Sequence, residues 1–129
     1  MPLSYAISDV ERLVRVNATG SVKSEDLPPM SSSLAADTKI VPGMRFLVEA
    51  EDVEPDLTFS DLRNAADILS KLNAKGVNEM AIVTDTTHVY ALAQVFAVFA
   101  PASSVDVKVF RKRSEAMRWL DAGAGRTAS

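Results

Sequence analysis

Residues Met80-Ala81-Ile82-Val83 form a continuous apolar run with no polar alternation. A strand with one wet face alternates, so an unbroken run reads as a strand covered on both faces. Helical patterns flank it. Upstream, from about Ser60 to Leu72, apolar residues recur at Leu62, Ala65, Ala66, Leu69 and Leu72, with Gly76 just beyond the end. Downstream, a helix over about Thr87 to Ala100 stops at Pro101. A buried strand between two helices fits a parallel sheet joined by right-handed crossovers.

The rest of the chain extends that pattern. Leu3, Tyr5 and Ile7 alternate with Ser4, Ala6 and Ser8, and a turn at Asp9 leads to a second strand over Arg12–Ala18. Two strands so closely joined predict an antiparallel hairpin. Ser24 is an N-cap candidate with Glu25 and Asp26 behind it, and Leu27, Met30 and Leu34 share a helical face. Pro28 and Pro29 are tolerated only near a helix start, which predicts a kinked or late-starting helix. Arg45–Ala50 reads as a third strand, Val105–Val109 as an edge strand, and Ser114 opens a last helix with Ala116, Trp119 and Leu120 inward and Gly123 as its stop. The order is ββαβαβαβα: an α/β sandwich on a mixed five-stranded sheet with an N-terminal antiparallel hairpin. Residues 1–122 read as one domain and 123–129 as a flexible C-terminal tail.

Composition narrows the chemistry. The chain has 129 residues, a net charge of -3, no cysteine and one histidine. An acidic balance argues against nucleic-acid binding. Disulfides, thiol nucleophiles and Cys- or multi-His metal sites are excluded. The five glycines are scattered and form no phosphate-cradling loop. No cofactor is expected. Residues 1–5 lack the pattern of a secretory leader, and the longest apolar stretch, Val89–Ala100, is broken by Gln94 and falls short of the roughly 20 residues that cross a bilayer. A cytoplasmic location is the expectation, with peripheral contact at the inner membrane face as an extension of it.

The segments Met80–Asp85, Ala93–Pro101, Val107–Phe110 and Glu115–Leu120, with the element order, resemble the SpoIIAA-like branch of the STAS fold, whose members are also labelled STAS/SEC14-domain proteins. The resemblance covers the C-terminal third by sequence and the rest by pattern. It implies a compact, non-enzymatic module, dimeric or peripheral, with an analogy to lipid-binding domains. Anti-sigma-factor antagonists of the same fold carry a phosphorylated serine in an Asp-Ser-Ser/Thr-Gly segment. Here the region reads Glu54-Pro55-Asp56-Leu57-Thr58-Phe59-Ser60-Asp61-Leu62, without the glycine. Thr58 and Ser60 are therefore candidates for a helix cap or, in the alternative reading, for phosphoacceptors of a signalling regulator.

The third helix is the anomaly. With Leu92, Val95, Phe96 and Phe99 taken as the face toward the sheet, the opposite face holds Tyr90, Gln94, Ala97 and Val98, without one charged residue. A helix apolar all round is buried or in contact with something. The candidate occupants are a second copy in a homodimer, a lipid or other apolar ligand, a membrane surface, or the chain's own segments. Arg111, Lys112 and Arg113, after the last strand, are candidates for an anionic headgroup rim, or for pairing with the acidic run Glu49–Asp56. His88, after Asp85-Thr86-Thr87, would need a second polar group within reach to act as a base. No catalytic residue and no metal ligand is assigned.

Overall fold

The structure, a computed structural model, describes residues 2–127, with side chains to residue 122. Five strands form one sheet: β1 (Leu3–Ser8), β2 (Leu13–Lys23), β3 (Arg45–Asp56), β4 (Glu79–Val83) and β5 (Asp106–Phe110). Their spatial order is β1-β2-β3-β4-β5. β1 pairs antiparallel with β2, and all later neighbours are parallel. This is the mixed α/β sandwich expected.

The helices are α1 (Leu27–Ala36), α2 (Phe59–Ala65), α3 (Asp67–Ala74), α4 (Thr87–Val98) and α5 (Arg113–Thr127). Each parallel strand is added on the same side of its predecessor. Right-handed crossovers then place every connecting helix on one face of the sheet. Accordingly α1, α3 and α4 share a core with Val14, Val16, Phe46, Met80, Ile82 and Val109, and Leu62 of α2 is buried on the same side. The opposite face is left to the helix after the last strand. There, Ala116 and Leu120 of α5 seal Leu13, Leu47, Ala81 and Val83. All five residues of β4 are buried, as a strand between the two layers must be.

Several boundaries differ from the sequence reading, each for a physical reason. Ser24 starts a short 3₁₀ turn, and α1 begins at Leu27 with a proline at its first turn, where a missing N–H costs nothing. The single helix expected over Ser60–Leu72 is two, broken at Ala66. The last helix passes Gly123 and continues to Thr127.

The largest difference lies in β2 and β3, which continue well past Ala18 and Ala50. A bulge intervenes: Ala18 faces Ala50 but Gly20 faces Val53, so β3 carries one extra residue there. Gly20 and Asp52 take positive φ of 67° and 53° at this point. Beyond the bulge the acidic run is a strand. Val53, Pro55 and Leu57 are half-buried on one side, while Asp52, Glu54 and Asp56 are exposed. Because β4 pairs with β3 only as far as Glu49, this two-stranded arm projects beyond the sheet on its own.

Candidate functional site: an apolar cleft between sheet and helices

The arm and the connecting helices border an open cleft of about 220 Å³. Its floor is the core face of the sheet, including Val16, Phe46, Val48 and Ile82; Leu27 and Met30 of α1 and Leu62 and Ala65 of α2 form one side. Val89, Leu92, Ala93 and Phe96 of α4 form the other, and Val53, Pro55 and Leu57 of the arm line its end. Among the described lining residues only Ser31 has a polar side chain. A cavity of roughly 150 Å³ lined this way stays dry and admits benzene. The cleft therefore has room for an apolar group and nothing to hold water.

The setting of α4 corrects an expectation. Its buried residues are Val89 and Ala93, with Ala100 in the 3₁₀ turn that follows. Leu92, Val95, Phe96 and Phe99, expected to face the sheet squarely, are only half-buried. A helix without charges carries no mark on its outer side, so packing sets its rotation. Ala93 is buried with the core and, together with the larger Leu92 and Phe96, walls the cleft. Of the four residues expected on the free face, Tyr90 and Ala97 are half-buried against the core, while Gln94 and Val98 are exposed. Val98 is 73% and Phe59 63% exposed. The Phe59 ring meets the edge of Phe99 at 5.4 Å, which ties the start of α2 to the end of α4.

The basic cluster is divided. Arg113 lies 3.9 Å from Glu49, a residue that also approaches Arg15. Arg111 stacks over the Tyr90 ring, 4.5 Å from its centroid. Among the described residues neither Arg111 nor Lys112 has a carboxylate within 4.0 Å, and both are exposed. They stand at the C-terminal edge of the sheet, where the Thr84 N–H donates to the Phe110 carbonyl at 3.0 Å. Val22, Ala50 and Val89 cluster with Val53 and Leu57 at the same edge.

The two hydroxyls considered as phosphoacceptors have distinct places. Thr58 Oγ1 accepts the Asp61 N–H at 3.1 Å, and Asp61 Oδ2 accepts the Thr58 N–H at 2.8 Å. This reciprocal pair is a capping box. Ser60 is exposed in the first turn of α2. His88 is exposed in the first turn of α4. Among the described residues no group of three or more His, Asp or Glu could hold a metal ion, and no helix is long and apolar enough to cross a membrane.

A family model described as SpoIIAA-like matches residues 13–121, most of the chain and all of the parallel sheet. The chain belongs to the SpoIIAA-like family. A solved structure of similar fold is an uncharacterized protein of the DUF3478 family with a SpoIIAA-like fold from Shewanella loihica PV-4. It is 21% identical, with a TM-score of 0.54, over 92% of this chain and 91% of that one. At that identity it speaks for the fold alone. No curated protein matches the chain in sequence. The cleft of this SpoIIAA-like chain was missed in the sequence reading, because its walls look like any core. The one available signal is the alternation of Val53, Pro55 and Leu57 with acids, beyond the Ala50 at which the third strand is expected to end.

Proposed function

We propose that this SpoIIAA-like chain is a non-enzymatic binding module that takes an apolar ligand, of the acyl-chain kind, into the cleft between α4 and the sheet. The observation that carries the proposal is the lining: an apolar cleft of about 220 Å³ with a single hydroxyl in its wall. Folding gains nothing from such a space, since its lining lacks contact partners on one side. A hydrocarbon supplies them.

Two further features support the reading. Arg111 and Lys112, with no carboxylate within 4.0 Å among the described residues, offer an anionic headgroup a place at the strand-end edge. The exposed Phe59 and Val98 provide an apolar surface for contact with the membrane from which such a ligand would come. The exposed side of α4, with Ala91, Gln94 and Val98, would serve either that contact or self-association.

Thermal unfolding with hexadecanoate is the test. A ligand at a hundred times its dissociation constant stabilises the native state by about 2.7 kcal/mol. A rise in midpoint that saturates with hexadecanoate, and shrinks when Arg111 and Lys112 are both changed to Glu, is expected. An unchanged midpoint up to the highest concentration at which hexadecanoate stays monomeric would contradict the proposal.

A further inference from the structure

We propose a second site, adjoining the cleft at Leu3 and Met30 but facing the other way: a groove along the free edge of β1 that accepts an extended, basic-ended peptide as a sixth strand. β1 is the outer strand of the sheet on its side. Its sequence, Leu3-Ser4-Tyr5-Ala6-Ile7-Ser8, contains no charge and no proline. Edge strands are ordinarily guarded by charged residues, prolines or bulges, because unpaired N–H and C=O groups invite another strand. The opposite edge, β5, carries Asp106 and Lys108, both exposed. Within Leu3–Ser8 the β1 edge has no such guard.

Beside it lies a groove of about 320 Å³ between β1 and α1. Leu3, Tyr5, Pro29 and Met30 line it, with Ser33 further along the helix. The Tyr5 hydroxyl donates to Asp37 Oδ2 at 2.7 Å, spanning from the strand to the end of α1. Side chains of an added strand that share the face of Leu3 and Tyr5 would drop into this groove. Main-chain pairing supplies affinity in this mode of recognition, and alternate side chains supply selectivity.

Charge selects the occupant. Glu25 and Asp26 stand at the groove beside the start of β1, and Asp9 follows its other end. A second copy of this chain, pairing β1 with β1 about a two-fold axis, would set Asp9 of one copy toward Glu25 and Asp26 of the other. Like charges so placed disfavour the pairing. A foreign strand with lysine or arginine at both ends meets acids at both ends instead.

The experiment uses isotope-labelled full-length chain and a short peptide of valine alternating with threonine, capped by lysine at each end. The control peptide has glutamate caps. Amide shifts in β1 and the first turns of α1 are expected with the lysine-capped peptide, and binding about fivefold weaker or more with the control. Glu25→Lys, on an exposed side chain, should narrow or reverse that preference while leaving the fold's spectrum intact. Absence of binding, shifts centred on α4 or another surface away from β1, or equal affinity for both peptides would overturn the proposal. Broadening of β1 amides with protein concentration alone would overturn it too, because a second copy would then be the occupant.

Discussion

Ala93→Leu separates a real cleft from ordinary core. Ala93 is buried on α4 and lines the cleft. In a close-packed interior, added methylenes force neighbours off their rotamers at about 1–3 kcal/mol. Here the three added carbons have space to enter. At roughly 0.8 kcal/mol per buried methylene they contribute about 2.4 kcal/mol, less roughly 0.5–1 kcal/mol of lost side-chain freedom. The net expectation is a stabilisation of about 1.5 kcal/mol, read as a higher urea midpoint at unchanged slope. For a domain of this size the melting temperature should rise by roughly 5 °C. The leucine also occupies ligand space, so hexadecanoate should bind about tenfold more weakly. The two effects have opposite signs for stability and for binding, which a merely damaged fold cannot imitate. Destabilisation by about 1 kcal/mol or more, with hexadecanoate affinity unchanged, would refute the reasoning.

Other expectations test the frame around the cleft. Gly76 has φ of +93°, and a Cβ there would come within 2.5 Å of the Pro42 Cα. Gly76→Ala should therefore cost about 2 kcal/mol or more by urea unfolding, and a near-neutral effect would mean this turn is set differently. The Tyr5–Asp37 hydrogen bond raises the Tyr5 phenol and lowers the Asp37 carboxyl, the latter with help from the Lys39 N–H. The stabilisation from Asp37 is present above the ordinary carboxylate range and lost as pH falls through its lowered pKa, below about 4. That from Tyr5 is present below about 10 and lost as pH rises through its raised pKa. Urea midpoints of Tyr5→Phe should thus approach those of the parent at both extremes, and a constant difference across the whole range would contradict this.

The fold was legible because its decisive features are local. Met80–Val83 announces a strand covered twice, and the tight link between Ile7 and Val14 announces a hairpin. Strand and helix alternation with one handedness then leaves little choice of topology. What escaped depended on long-range contact. The run of acids after Ala50 ends the third strand on sequence alone, yet pairing with Ser21 and Lys23 of β2 makes Glu54 and Asp56 the wet side of a continuing strand. The rotation of α4 escaped for the opposite reason. Periodicity locates an inner face by contrast with charges, and α4 offers none, so on sequence alone the bulkiest stripe reads as the inner one in place of the stripe containing Ala93. The break at Ala66 leaves no mark in the pattern, since Leu62, Ala66 and Leu69 are all buried at the i, i+4, i+7 spacing of one continuous helix.

The central claim is that hydrocarbon enters between α4 and the sheet. Methyl-resolved NMR of the full-length chain titrated with hexadecanoate tests it most directly. The account expects saturable shifts, and contacts to the acyl chain, at Val16, Ile82, Val89 and Leu92, with Ala116 and Leu120 on the far side of the sheet unaffected. Shifts confined to exposed Phe59 and Val98, or none at all while the ligand remains monomeric, would contradict it.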